Sequence, residues 1–206
     1  MAPIELPEPE RDGQTSVERT IATRESRRVF AESPVGIEDV AQLLWAAQGI
    51  THRTDGVRMR AAPSAGATYP LTVLLTIASG GCEGLEGGVY QYDPVGHALK
   101  IDGTTPVREA LTRAAGDQEV LRNAPATVVL TANYDRTRRQ YPDHGDRYVH
   151  MEAGHAAQNV HLVCESREMN SCPVGAFSDA EVAEVLALPD RLDPLYLLPV
   201  GHPVTA

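Results

Sequence analysis

The sequence predicts an α+β fold, layered around an antiparallel or mixed sheet. Two segments, Pro70–Ala78 and Ala124–Ala132, hold apolar runs of the length and composition expected of buried strands. Other segments space their apolar residues as on one helix face. Strands and helices are interspersed without a regular βαβα alternation, so a layered α+β arrangement is favoured over a parallel sheet.

Length, composition and charge favour a single folded domain. The chain has 206 residues, of which 42% are hydrophobic and 22% are charged. We expect residues 14–206 to form one domain and Met1–Gly13, rich in Pro and Glu, to be a flexible segment. The net charge of −10 disfavours partners such as nucleic acid and anionic membranes. Without an apolar run long enough for a membrane span or signal peptide, the expected location is cytoplasmic.

Helix and strand signals follow one another along the chain. Ile37–Ile50 has apolar residues on one helix face, after Pro34 and before Gly49. Ser178 with Glu181 three residues later indicates a capped helix over Ser178–Leu188. The other predicted elements are the hairpin strands Gly88–Asp93 and His97–Asp102, the helices Pro106–Ala115 and Gln118–Asn123, and the strand Leu195–Val200.

Arg147–Met169 is the longest predicted helix. At about 1.5 Å per residue it would exceed 30 Å and cross the whole domain. One stripe along it carries mostly small residues, so that another helix could approach closely. The stripe contains Val149, Ala153, Ala156, Ala157, Val160 and Val163.

Common catalytic and metal-binding motifs are missing from the sequence. Cys82, Cys164 and Cys172 form no CxxC pair, and the histidines of the long helix lack the spacing that would converge on one metal, so we expect no metal site. Cys172 is read as a small buried residue before a turn. The absence of GxGxxG, GxxxxGK[ST], GxSxG and HExxH removes the most familiar nucleotide and hydrolase sites.

Four segments could carry chemistry, although each also has a plain structural interpretation. Arg24–Phe30 presents two guanidinium groups and a hydroxyl, which could hold a phosphate or form a solvated basic stretch. Ala62–Pro70 and Cys172–Phe177 could offer backbone amides to a ligand or serve as ordinary turns. Glu152–His161 is read as a buried polar cluster between helices.

The order and spacing of these segments resemble the nitroreductase superfamily, and within it the SagB/ThcOx-type branch that includes azoline dehydrogenases. The resemblance covers Arg24 to Gly201. It is carried by RESRRVF, LLWAAQGI, APSAGATYP, GVYQYDP, RYVHMEAGHAAQN, CPVGAF and LLPVGH, in that order.

The resemblance implies an α+β fold with a central, mostly antiparallel sheet flanked by helices. It also implies a homodimer with FMN at the subunit interface and the long helix as the dimer helix. It assigns Arg24, Ser26 and Arg28 to the FMN phosphate, ribityl chain and pyrimidine edge. The chemistry would be centred on the flavin, with Tyr141 and Arg147 as candidate catalytic residues. Further cofactor-binding positions are Pro63, Ser64, Ala65 and Gly66, contributed to the other subunit's flavin, and Pro173, Val174, Gly175 and Ala176.

The activity implied is reduction of a small acceptor, such as a nitroaromatic or quinone, with NAD(P)H as electron donor. The azoline-oxidising members carry a Lys-Tyr pair where this chain has Gln140-Tyr141, and Gln cannot act as a base. The chain also ends at Ala206, without the basic C-terminal arm of many members. Two alternatives remain. One is oxidation of a peptide heterocycle, which Gln140 disfavours; the other is a non-catalytic flavin-binding dimer, which the missing basic arm suggests. The sequence leaves open the acceptor, the choice between NADH and NADPH, and membership of a peptide-modifying complex.

Overall fold

A seven-stranded antiparallel sheet forms the centre of the protein. The computed structural model describes residues 2–204. The strands are β1 (Ile4–Glu5), β2 (Ile50–Thr54), β3 (Val57–Arg60), β4 (Leu71–Ile77), β5 (Gly88–Asp93), β6 (Ala98–Gly103), β7 (Ala126–Ala132), β8 (Asn170–Ser171) and β9 (Asp193–Gly201). The sheet order is β1-β6-β5-β4-β7-β9-β8, and β2 pairs only with β3. The predicted α+β class with a mostly antiparallel sheet is confirmed.

Helices cover both faces of this sheet. They are α1 (Val17–Thr23), α2 (Ile37–Gln48), α3 (Arg108–Ala114), α4 (Glu119–Arg122), α5 (Tyr134–Arg138), α6 (Gly145–Ser166) and α7 (Asp179–Val185). A cluster on one face joins α2 and α6 to the sheet, and a smaller cluster on the other face includes residues of α3, α4 and α7. Successive side chains of a strand point to opposite faces, so the central strands need apolar residues at nearly every position. This is why apolar residues are consecutive at the centres of β4 and β7, over residues 73–75 and 128–130.

The small-residue stripe of α6 packs against α2 and the sheet of the same chain. Val149, Ala153, Ala156 and Val160 are buried in the same core cluster as residues of α2. Their small side chains let α2 and the sheet approach α6. The helix that approaches this stripe is α2 of the same chain, so the stripe is not available to a second subunit. A different face of α6 is exposed.

Part of the N-terminal segment packs against the sheet and α2. Ile4 and Glu5 pair with Leu99 and Ala98 of β6, and Leu6 is only 8% exposed. Further along, Glu10 exchanges two hydrogen bonds with the Gln42 side chain, at 2.8 and 2.9 Å. Pairing with an edge strand and burial of one leucine outweigh the Pro- and Glu-rich composition. Met1 lies outside the described residues.

Several short elements gave no clear sequence signal. These are α1, the β2–β3 hairpin, α5 and β8. The capped helix was predicted correctly, since the Ser178 hydroxyl accepts the Glu181 backbone N–H at 3.4 Å. No helix within residues 2–204 is long and apolar enough to cross a membrane.

Replacing Leu6 with Ala tests whether the N-terminal segment is part of the core. We expect the free energy of unfolding to fall by about 2 kcal/mol, because the change removes buried methyl groups from a packed cluster. Urea denaturation provides the measurement. The exposed neighbour Glu8→Ala is the control and should change stability by less than about 0.5 kcal/mol. Equal effects of the two changes would show that the segment is not packed.

Candidate active site

The segment Arg24–Phe30 follows α1 in a non-helical conformation and lies beside β8. The Arg27 backbone N–H donates to the Ser171 carbonyl at 3.0 Å. The Asn170 side chain donates to the Val29 carbonyl at 2.7 Å. Because Ser171 leads directly into Cys172–Phe177, these bonds bring together the first and third of the segments predicted to carry chemistry.

A neutral histidine holds Arg24 in place. Arg24 Nη1 lies 3.1 Å from His161 Nε2, and His161 Nδ1 is hydrogen-bonded to the Ser171 hydroxyl. Burial, reinforced by the nearby positive charge of Arg24, lowers the pKa of His161 to about 4. At neutral pH its Nε2 therefore accepts from Arg24 and its Nδ1–H donates to Ser171. The contact fixes one edge of the guanidinium group.

The cations of this segment fall into two kinds. Arg27 forms an ion pair with Glu165 of α6, which raises the pKa of Arg27. Within residues 2–204, neither Arg24 nor Arg28 has a carboxylate within 4 Å. Among the described residues Arg28 donates only to the neighbouring Ser26 carbonyl, at 3.3 Å; Arg28 is exposed and Arg24 is half-buried. Two unneutralised guanidinium groups and a hydroxyl in a chain of net charge −10 form a site suited to an anion.

The third segment presents open backbone amides. Val174 exchanges two backbone hydrogen bonds with Leu197, at 2.8 and 3.0 Å, whereas the N–H groups of Gly175 and Ala176 donate to nothing in the described part of the chain. A Cβ atom on Gly175 would meet only Tyr196, at 3.6 Å. The chain itself therefore does not require glycine here. A glycine in such a place permits close approach of a ligand to the backbone.

The second segment, Pro63–Gly66, lies in a different part of the chain. Gly66 has a φ of +56°, and a Cβ there would be 2.5 Å from the Gln140 amide. Nearby, the Thr68 and Thr137 hydroxyls are 2.9 Å apart. Among the described residues, no hydrogen bond joins this segment to Arg24–Phe30 or to Pro173–Ala176. A single chain thus presents two separate groups of candidate residues.

One of the two candidate catalytic residues, Tyr141, is next in sequence to a residue that contacts the Pro63–Gly66 loop. Gln140 lies against Gly66. Tyr141 is half-buried and packs edge-on against Tyr148, with ring centroids 5.1 Å apart. Arg147 is exposed in the first turns of α6. The structure therefore brings Gln140 and Tyr141 to the same loop that the resemblance assigns to flavin binding.

A buried polar cluster connects the same loop to α6, as predicted for this stretch of the helix. Glu152 is only 2% exposed and accepts from the Gln48 amide at 3.3 Å. Gln48 in turn accepts from Arg60 at 2.8 Å. Burial raises the pKa of Glu152 to about 7, although the nearby Gln48 and Ser64 side chains and Arg60 oppose the shift. Gln48 and Arg60 were not predicted as site residues. The sequence feature that could have pointed to them is Glu152, an acidic residue within the apolar stripe of α6.

Replacing His161 with Gln tests the histidine contact through the pH dependence of stability. The unfolded imidazole has a pKa near 6.5, and folding lowers it to about 4. The neutral form therefore contributes stability above about pH 6.5, and this contribution of about 1–3 kcal/mol is lost as the pH falls towards 4. We expect a shallower acid dependence of the unfolding free energy in His161→Gln. Exposed His52→Gln is the control, and identical pH profiles for both variants would contradict the assignment.

Comparison with known proteins places the chain in a family. The model of the nitroreductase family matches residues 21–202. A Methanocaldococcus jannaschii protein, named provisionally as a nitroreductase, is 38% identical over 98% of this chain and 96% of its own length. A structure of a Ralstonia eutropha protein named in the same way has a TM-score of 0.85 and 27% identity, covering 99% of this chain and 90% of the other.

A third relative comes from a peptide-processing system. A chain of the Escherichia coli microcin synthetase McbBCD complex, determined with truncated pro-MccB17 bound, has a TM-score of 0.74 and 26% identity, covering 95% of this chain and 77% of the other. The match to the nitroreductase family model spans most of the chain, and the same architecture recurs in solved relatives. The resemblance drawn from the sequence is confirmed: the chain belongs to the nitroreductase family of oxidoreductases.

Proposed function

We propose that the protein is an FMN-dependent oxidoreductase that takes electrons from NAD(P)H and reduces a small acceptor such as a nitroaromatic or a quinone. The observation that carries the proposal is the pairing of Arg24 and Arg28, which have no carboxylate partner, with the open amides of Gly175 and Ala176. Family membership supports an oxidoreductase. An enzyme that draws on the cellular NAD(P)H pool would work in the cytoplasm.

The residues present fit FMN in charge and shape. Arg24, oriented by His161, and Arg28 offer planar donors to a phosphate and to the electron-rich edge of a flat ring. Ser26 adds a hydroxyl between them, and Gly175 lets a ring lie close to the backbone amides. FMN, when bound, supplies the redox chemistry. The positive charge from these side chains would stabilise the negative charge that reduction places on the cofactor.

A homodimer would unite the two groups of candidate residues. The exposed face of α6 carries Met151, which is 52% exposed, and Gly154, whose Cβ would meet nothing within 4 Å. A helix-interior glycine costs about 1 kcal/mol relative to Ala, and its own chain gives no reason for it. The neighbouring α1 exposes Val17 and Ile21, one turn apart. We infer that these faces pack against a second copy, so that the Pro63–Gly66 loop of one subunit reaches the FMN of the other.

The residues beside that loop would contact the acceptor. Tyr141, fixed by its packing against Tyr148, and exposed Arg147 offer a hydroxyl and a cation to a small polar molecule. Hydride transfer needs no acid or base from the protein at the transferring atom, so their role would be to orient the acceptor and exclude water.

Oxidation of an azoline-containing peptide is the second candidate. The observation in its favour is the similarity to a chain of the microcin synthetase complex. Against it stands Gln140, a neutral amide at the position where azoline-oxidising members have a lysine. The two activities differ in direction, since one consumes NAD(P)H and the other removes hydrogen from the peptide.

Anaerobic reductive titration tests the principal proposal. The purified protein should bind FMN and absorb at about 450 nm, lose that absorbance on addition of NADH or NADPH, and regain it with a nitroaromatic or quinone. Gly175→Ala should leave the unfolding free energy unchanged yet weaken FMN binding about tenfold, because the added methyl group displaces the ring. Exposed Gly13→Ala is the matched control.

The other outcomes of this experiment separate the alternatives. A protein that takes up no FMN would contradict the proposal outright. Flavin that is bound but not reduced by either nucleotide would indicate a non-catalytic subunit. Flavin that is bleached by an azoline peptide, with formation of the aromatic heterocycle, would identify the second candidate activity.

Met151→Glu tests the homodimer. A buried, unpaired carboxylate at the proposed interface should convert the dimer to a monomer and weaken FMN binding in parallel, because each site would lose the partner's loop. Light scattering after size-exclusion chromatography gives the mass, and FMN titration gives the affinity. Val95→Glu, at a similarly exposed residue in the β5–β6 turn, is the control. A monomeric wild-type protein that binds FMN normally would refute the dimer proposal.

A further inference from the structure

The β2–β3 hairpin carries three arginines on one face. Asp55 and Gly56, with φ values of 50° and 82°, form a two-residue turn of the kind that hairpins favour. This turn sets Arg53 directly opposite Arg58, and Arg60 follows two residues later on the same side of the strand. Like charges directly opposite each other destabilise a pair of strands. The fold therefore gains nothing from placing these charges together.

Acidic side chains do not neutralise this face. Within residues 2–204, neither Arg53 nor Arg58 has a carboxylate within 4 Å, and both side chains are exposed. Burial, together with the positive charge of Arg136 on α5, lowers the pKa of Arg60. In a chain of net charge −10, the hairpin is thus a local concentration of positive charge. Such a surface attracts an anion.

The arginines line a groove between the hairpin and the β5–β6 turn. One depression of about 450 Å³ is bounded by Arg53, Arg58, Arg60, Ala67, Tyr69 and Val95. A second, of about 260 Å³, shares Arg53, Arg58 and Val95 with the first and extends to Trp45, Tyr92 and His97. The N-terminal segment adds one residue of each charge there, Glu8 and Arg11. The larger depression is within the range of about 300–1,000 Å³ that is typical of small-molecule sites.

The groove adjoins the loop that we propose to reach the other subunit's FMN. β3 ends at Arg60, three residues before the Pro63–Gly66 loop begins. The Arg60 backbone N–H donates to the Tyr69 hydroxyl at 3.2 Å, and its guanidinium carbon lies 4.5 Å from the centre of the Tyr69 ring. At the base of the hairpin, the Ala61 N–H donates to the Gly49 carbonyl at 2.9 Å. These contacts hold groove and loop together, so a ligand that reacts at that flavin has the groove beside it.

We propose that the groove binds the phosphates of the nucleotide electron donor and makes the protein select NADPH over NADH. The inference rests on the proposed function, because the donor must lie at the FMN that the loop reaches. NADPH differs from NADH by a 2′-phosphate, which adds about −1.5 to −2 charges. Arg53 and Arg58 offer two planar guanidinium groups, whose geometry matches that of a phosphate. Half-buried Trp45 offers apolar surface to the adenine base.

The first test is calorimetric titration with adenosine 2′,5′-bisphosphate and with AMP, two probes that differ only in the 2′-phosphate. We expect the wild type to bind the bisphosphate at least about tenfold more tightly than AMP, the effect of a charge-assisted hydrogen bond. The preference should weaken as salt is added. The double variant Arg53→Gln/Arg58→Gln should lose it.

A matched control and a stability measurement show that this loss is specific. Arg113→Gln changes an exposed arginine of α3 that, in the described part of the chain, also has no carboxylate within 4 Å, and it should keep the wild-type preference. The unfolding midpoint of Arg53→Gln/Arg58→Gln should be equal to or higher than that of the wild type, because the change removes a repulsion. A lower midpoint would mean that the two arginines support the fold, which contradicts the proposal.

The second test follows anaerobic reduction of bound FMN at increasing concentrations of NADPH or NADH. The dissociation constant of the wild type should be about tenfold lower for NADPH, and the two constants should become similar in Arg53→Gln/Arg58→Gln. Bleaching of the flavin by dithionite shows that each variant still contains FMN.

The outcomes distinguish this inference from the proposed function. If bound FMN is reduced equally well at equal concentrations of NADH and NADPH, the role of the groove is refuted while the flavin proposal stands. A glutamate-rich peptide that binds more tightly than the bisphosphate would also overturn it, in favour of an acidic protein partner. If the protein binds no FMN, the proposed function fails and the inferred donor site fails with it.

Discussion

Burial of two polar side chains on α6 is the constraint on which the rest of the structure depends. The helix crosses the domain with its apolar stripe against α2 and the sheet, and Glu152 and His161 are buried with that stripe. A buried polar group without partners costs several kcal/mol, so each must be matched by neighbours. Glu152 fixes Gln48, and through it Arg60, whereas His161 fixes Arg24 and Ser171. Two hydrogen-bonded networks extend from one helix to the two groups of candidate residues.

These networks also explain how the two groups of candidate residues can each be held in a fixed position although they do not touch each other. Within one chain, Arg24–Phe30 and the open amides of Gly175 and Ala176 lie together beside β8, while the Pro63–Gly66 loop lies with Gln140. In the proposed dimer a second α6 would set the distance between them. The rigid helix would then serve both as the core of each subunit and as the support that aligns the two halves of each site.

The charge distribution is consistent with this organisation. The chain has a net charge of −10, yet Arg24 and Arg28 lie without carboxylate neighbours in the described structure, while Arg27 between them is paired with Glu165. In the proposed function, Arg27 would support the fold while Arg24 and Arg28 would bind the ligand. An acidic surface around a small cationic site would also favour entry of anionic nucleotides into that site.

The sequence by itself determined the fold class, the main strands and the order of the loops, because apolar periodicity and turn residues report local burial directly. It also identified Arg24–Phe30, Ala62–Pro70 and Cys172–Phe177 as segments that could bind a ligand. Only the tertiary structure decided that the α6 stripe faces α2, that Ile4–Glu5 forms a strand, and that Gln48 and Arg60 join Glu152. Those facts depend on which distant residues meet. The partners of a buried carboxylate, the pairing of an edge strand and the exposure of a helix glycine have no local signature in the sequence.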